Sequence, residues 1–258
     1  MVSLYSTSSR TIHQVWFDIG NGADIPTALR PYQDSWKRLR LDFSYKLWTL
    51  ADAERLVRDS PAVVREIWQK LPHGINKADF FRYVLMHTIG GCYFDLDFDC
   101  VSDEFVDVFN NLDGVLLAEE SPYSLQTGSL HNGALMSRGA GHPFWSFLFE
   151  AIYSRLMMLR KEDLHDKQAS VFRLTGTAVL RDVAVDYWRH NLSYRFPLVV
   201  VPFGVFCPLM IGSSYVDDYD GEFPRGRWTF PRDVRDQYRG HTYAVVMASM
   251  RTWQHAFD

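Results

Sequence analysis

A chain of 258 residues fits one α/β domain and is short for two. Hydrophobic residues at 47% and charged residues at 22% exclude a disordered chain and a membrane-embedded body. The formal charge of −4 leaves no basic stripe for nucleic-acid phosphates or an anionic membrane surface. Cys92, Cys100 and Cys207 form no CxxC pair, which argues against a disulfide framework and a zinc site and fits a reducing compartment. The opening MVSLYSTSSRTIHQVWF has neither the apolar core of a signal peptide nor the ~20 apolar residues of an anchor, so the expectation is a cytoplasmic protein with no integral membrane segment.

In chain order, the β-branched and aromatic run TIHQVWF, residues 11–17, predicts a first strand that ends at the turn Asp-Ile-Gly-Asn-Gly. Tyr32, Trp36 and Leu39 recur at helical spacing, FSYKLWT predicts a strand, and Val64, Ile67, Trp68 and Leu71 mark a further helix. Ala78, Phe81, Leu85 and Thr88 predict the buried stripe of the next helix, with Gly90-Gly91 as its left-handed cap. CYFDLDFD then predicts one continuous strand, with Cys92, Phe94, Leu96 and Phe98 on an apolar face and Tyr93, Asp95, Asp97 and Asp99 on the other. VLLAEE and the stretch after His131-Asn132-Gly133 predict strands, and HPFWSFLFEAIYSRLMML a long helix. Val179, Leu180, Val183, Ala184 and Tyr187 share a helical face behind Gly176, and LVVVP and TYAVVMAS are strand-like. The alternation predicts an α/β fold in a single domain over residues 1–258. The charged segment from Asp217 to Gly240, poor in periodicity and rich in Gly and Pro, is expected to be a long surface loop suited to an acceptor-binding lid.

Residues two apart on a strand lie ~6.6 Å apart on the same face, so the three acids would stand in line. Gathered carboxylates repel one another and lose hydration unless cations, donors or raised pKa values compensate them. A hard divalent ion such as Mn²⁺ or Mg²⁺ takes one or two carboxylates and completes its shell with substrate phosphates, so Asp95 and Asp97 suffice for a nucleotide-diphosphate site. A bare DxD by itself is a weak signal and reads first as a solvated sheet edge. The context points to a ligand, because open α/β sheets bind ligands at the carboxyl ends of their strands. Asp79 and Arg82, three residues apart on the preceding helix, share a face and can reach one ligand. Taken alone they read as a surface ion pair worth under ~1 kcal/mol.

The run KADFFRYVLMHTIGGCYFDLD, the opening IHQVWFDIG, HNGALMSRGAGHPFW and LTGTAVL together resemble the DXD-containing sugar-transferase family. That family includes initiating α-1,6-mannosyltransferases and bacterial capsule transferases, and more distantly the large clostridial glucosylating toxins. The resemblance covers most of residues 11–253 and implies a GT-A type domain, a Rossmann-like mixed sheet flanked by helices. It implies Asp97 as the first metal ligand and Asp95 as a contact to ribose or metal. It also implies that Asp79 and Arg82 bind donor-sugar hydroxyls and phosphates, and makes Trp16 a platform for the base and Asn132 a contact to the donor sugar. Tyr93 would line the donor pocket and Trp253 touch phosphate or sugar. Asp99 and His13 read as structural, and core packing competes with a ligand role for Trp16 and Tyr93.

Two departures stand out: Thr177 replaces a Pro of the family pattern, and YAVVMASMRTW lacks the His that usually precedes the final Trp. Either His241, Ser249 or water completes a metal shell, or metal affinity is low. The implied function is a retaining transfer of a hexose from a nucleotide-diphosphate sugar to a glycan or glycolipid hydroxyl, with UDP-hexose the first donor and GDP-mannose the second. A metal-dependent nucleotide-sugar hydrolase and a non-catalytic sugar-binding protein are the alternatives.

Overall fold

The computed structural model describes residues 9–19, 24–38, 42–100, 102, 103, 105–120, 129–202, 205, 206 and 244–246. Leu39, the segment from Asp217 to Gly240, His241, Ser249 and Trp253 lie outside them. Strands β1 (Thr11–Val15), β2 (Ser44–Trp48), β3 (Gly91–Phe94), β5 (Val115–Glu119), β6 (Leu130–Ser137) and β7 (Leu198–Val201) form a sheet in the order β2-β1-β3-β6-β5-β7. The pairs β1–β2, β1–β3 and β5–β7 are parallel, whereas β6 runs antiparallel to both β3 and β5. The expected α/β class is therefore what forms, with β6 as the strand that makes the sheet mixed.

Helices cover both faces. On one side lie α3 (Ala62–Lys70), α4 (Gly74–Thr88), α6 (Pro143–Met158) and α8 (Thr177–Arg189), whose apolar residues join Tyr93, Val115, Leu117 and Leu135 in one core. On the other, α1 (Arg30–Lys37) and α5 (Phe105–Asn111) contribute Trp36, Phe105 and Phe109 to a second core with Ile12, Cys92, Phe94, Leu116 and Met136. Alternate residues of one strand thus enter different cores. This corrects the expectation of an apolar and an acidic face on the central strand, because β3 is buried on both sides. A strand covered by helices on both faces favours apolar residues throughout.

Two further expectations change. α4 was expected to bury the stripe Ala78, Phe81, Leu85 and Thr88, but Asn76 and the run from Asp79 to Met86 are buried, and Thr88 is exposed. The helix is central to the fold, so a one-sided pattern does not describe it. α2 (Leu50–Arg58), not anticipated above, starts at a capping box in which Thr49 and Asp52 satisfy each other's backbone groups. The Gly-Gly cap is present as expected. Gly90 and Gly91 have φ of +77° and +93°, and a Cβ on Gly91 would lie 2.5 Å from the Thr11 carbonyl oxygen. That close approach lets β3 pair with β1.

His13 locks the same junction. Its Nδ1 accepts from the Trp48 indole at 3.0 Å, so the proton resides on Nε2, which donates to the Gly90 carbonyl at 2.9 Å. Burial lowers its pKa from 6.5 to about 4. The folded state then binds fewer protons than the unfolded state between these values, so stability falls as pH drops through that window. At pH 5 His13→Asn is expected to have lost about 2 kcal/mol less than wild type, relative to pH 7.5, in urea titrations. Equally steep acid limbs in the two proteins would rule out His13 as the titrating group.

Candidate active site

The acids do not lie along one strand. β3 ends at Phe94, and the Phe98 amide donates to the Asp95 carbonyl at 3.1 Å, so Asp95, Leu96, Asp97 and Phe98 form a tight turn. β4 (Phe98–Cys100) follows and pairs antiparallel with β8 (Ala244–Val246) in a separate small sheet. The picture of three carboxylates in line is thereby corrected: Asp95 and Asp97 are half-buried corners of one turn, and Asp99 is buried beyond it. Leu96 and Phe98 keep their apolar alternation through the turn, which hid the break from the sequence.

Hydrogen bonds to β6 and from β1 fix the start of the turn. The Asp95 amide donates to the Gly133 carbonyl at 2.9 Å, and the Gln14 side chain donates to the Asp95 carbonyl at 3.1 Å. Gly133 has no room for a side chain, because a Cβ there would run into the Asp95 carboxylate and lie 2.6 Å from His131 Cε1. On the α1 side, the Trp36 indole donates to the Phe98 carbonyl at 2.8 Å and stacks on Phe94 at 4.1 Å, while Ser35 Oγ accepts the Cys100 amide at 2.8 Å.

The Asp95 carboxylate is held from below. Arg82 Nη1 lies 3.0 Å from Oδ1 and 3.1 Å from Oδ2, and the Tyr93 hydroxyl donates to Oδ1 at 2.5 Å. The same Arg82 donates to the Asn132 carbonyl at 2.9 Å and pairs through Nη2 with Asp79 at 2.8 Å. Asp79 also accepts from Asn132 Nδ2 and the Thr175 hydroxyl, each at 3.2 Å. Both Asp79 and Arg82 are only 5% exposed, so this is a buried cluster and not a surface pair.

That placement shows where each predicted residue sits. Arg82 lies between Asp79 and Asp95, where the two carboxylates need a cation out of water. Tyr93 is 1% exposed and its hydroxyl donates to Asp95. Asn132 is half-buried and brought to Asp79 by β6. Trp16 sits half-buried just past β1, its amide donating to the Trp48 carbonyl at 2.9 Å. Thr175, Gln14, Tyr32 and His131 join the site without having been foreseen; LTGTAVL and HNG were the stretches that carried two of them.

Charge follows from this packing. Burial raises Asp79 to about 6, with Arg82 opposing and Asp95 reinforcing the shift. The Tyr32 hydroxyl is pushed up to about 12, by burial first and then by Asp99 and Asp97. Burial lowers His131 to about 4, and its Nδ1 accepts the Gly133 amide at 2.8 Å. No group of three or more His, Cys, Asp or Glu side chains suited to a metal occurs among the described residues.

Residues 26–112 match the family model "Glycosyltransferase sugar-binding region containing DXD motif". An uncharacterized glycosyltransferase of Acanthamoeba polyphaga mimivirus is 27% identical over 192 residues, 73% of this chain and 69% of that protein. The initiation-specific α-1,6-mannosyltransferase of Saccharomyces cerevisiae is 32% identical over 101 residues, 36% of this chain and 21% of the yeast protein. Among solved structures, the PaToxG glycosyltransferase has a TM-score of 0.49 at 13% identity, covering 74% of this chain and 72% of its own. The matched segment lies within an α/β domain whose six-stranded mixed sheet is flanked by helices. Asp79, Arg82, Asp95 and Asp97 all fall within the matched segment.

Removing Arg82 would leave Asp79 and Asp95 without their shared cation. Arg82→Met is expected to cost about 3–5 kcal/mol in urea unfolding at pH 7.5. A loss under about 1 kcal/mol would be the behaviour of a surface pair.

Proposed function

We propose that this chain transfers a hexose from a nucleotide-diphosphate sugar to a glycan or glycolipid hydroxyl, with retention of configuration, at the turn formed by Asp95 and Asp97. The observation that carries this reading is the acidic turn at the carboxyl end of β3, backed by the buried Asp79–Arg82–Asp95 cluster. UDP-hexose remains the first donor. GDP-mannose is the second, supported by the yeast relative's name as a mannosyltransferase.

Two carboxylates at the corners of one turn suit a hard divalent ion, Mn²⁺ or Mg²⁺, with diphosphate and water completing its shell. When bound, such an ion would stabilise the negative charge that develops on the departing diphosphate. Asp97 is assigned as its main protein ligand and Asp95, already oriented by Arg82 and Tyr93, as the second ligand or ribose contact. Arg82 acts as a positioning residue for Asp95. Trp16, half-buried past the end of β1, is assigned to the base, and Asn132 to the donor sugar. Asp79 is screened from a covalent role by its burial and by Arg82, Asn132 and Thr175 on its oxygens. That supports a front-face reaction in which the diphosphate oxygen takes the acceptor proton. A glycosyl-enzyme adduct trapped for mass spectrometry would overturn it.

A panel of UDP-glucose, other UDP-hexoses and GDP-mannose, with Mn²⁺ or EDTA, tests the whole reading by nucleotide release and product analysis. Metal-dependent, acceptor-dependent release from one donor is expected, with Asp97→Asn lowering kcat roughly 100-fold. Acceptor-independent free sugar would mark a hydrolase. No turnover with any donor, together with wild-type biological activity in Asp97→Ala, would mark a sugar-binding protein.

A further inference from the structure

Behind the acidic turn lies a hydroxyl for which catalysis by direct contact has no use. Thr175 stands between α7 (Lys167–Leu174) and α8, and is fully buried. Its backbone carbonyl accepts the Tyr83 hydroxyl at 2.7 Å, and its own hydroxyl accepts Asn76 Nδ2 at 2.8 Å. Tyr83 and Asn76 both belong to α4 and are themselves fully buried. An amide N–H can only donate, so the Thr175 proton is directed to its other neighbour, Asp79 Oδ2 at 3.2 Å. The opposite oxygen of Asp79 is the one that pairs with Arg82, and Arg82 in turn spans both oxygens of Asp95.

We propose that Thr175, oriented by Asn76, is a positioning residue that fixes the Asp79 carboxylate and, through Arg82, the placing of Asp95. The proposal deepens the transferase reading above and rests on it for its effect on turnover. A carboxylate with a donor on each oxygen has one orientation, whereas one held on a single side can rotate. The link is directional. A rotation of Asp79 draws Arg82 Nη2 with it, and because the guanidinium is planar and rigid, Nη1 moves relative to Asp95. Thr175 is 99 residues from Asn76 in sequence, and its hydrogen bonds tie the α7–α8 junction to the turn after β3.

Thr175→Val keeps the shape and removes the hydroxyl, and Thr175→Ser restores it. With Mn²⁺ and UDP-glucose or GDP-mannose as probes, Thr175→Val is expected to lower kcat about tenfold, with donor KM within about threefold of wild type. Thr175→Ser should return kcat to within about twofold of wild type. Asn76→Leu leaves the hydroxyl in place with its proton undirected, and should show a smaller kcat loss. Full kcat in Thr175→Val, or a Thr175→Ser variant as impaired as Thr175→Val, would overturn the proposal. Crystal structures of wild type and Thr175→Val test it without turnover. A turned Asp79 and a broken Arg82–Asp95 bridge are expected, and an unchanged bridge overturns the proposal even if activity falls. Altered geometry in an enzyme whose wild type turns over no donor would count against the transferase reading alone.

Discussion

The structure depends on one buried cation. Arg82 lies between Asp79 and Asp95 with 6% of its side chain exposed, and it also bonds the Asn132 carbonyl of β6. Desolvating such a charge costs several kcal/mol, which is recovered only when close partners are correctly placed. The cluster therefore adds little net stability and strongly disfavours alternatives: a register shift between β3 and β6, or a rotation of α4, would leave a charge buried and unpaired. Its main effect is on geometry. The helix before the acidic turn, the strand that leads into it and the antiparallel strand beside it are tied to one guanidinium.

The other end of the turn is held by different chemistry. Beyond Asp97 the chain enters β4, where Phe98 packs in the second core and the Trp36 and Ser35 side chains take up backbone groups of β4. Apolar stacking and neutral hydrogen bonds on that side need no charge compensation. The turn is thus suspended between an ionic layer and an aromatic one. β8 pairs with β4 in a register that sets Val246 opposite Phe98, so this strand, too, adjoins the turn.

Much of this was legible from local pattern. Strand and helix alternation, the Gly-Gly cap and the string from Lys77 to Asp97 each rest on spacing that a sequence displays directly. What was not legible depends on contacts across the chain. Leu96 and Phe98 continue the alternation of a strand, so nothing local marks the turn that the Phe98 amide closes on Asp95. Asp79 and Arg82 sit at the spacing of any exposed helix pair, and only the cover supplied by β6 and the α7–α8 junction makes them interior. Tyr93 shows the same limit. A tyrosine on a polar-looking face reads as pocket lining until a second sheet face is known to be covered.

The two acids of the motif consequently have unequal tasks. Asp95 spends its oxygens on Arg82 and Tyr93, so its orientation is determined and part of its charge is neutralised within the protein. Asp97 stands at the far corner of the turn, where its charge and that of Asp99 add to burial in raising the Tyr32 hydroxyl of α1. One carboxylate is fixed by the buried cluster, and the other stands on the far corner of the same turn. An arrangement with both acids equally exposed would hold a cation in several ways, whereas tying one down leaves the geometry of the second to follow from the turn. The specificity of the pair therefore comes from the buried cluster behind it, and the spacing of two aspartates is its visible trace.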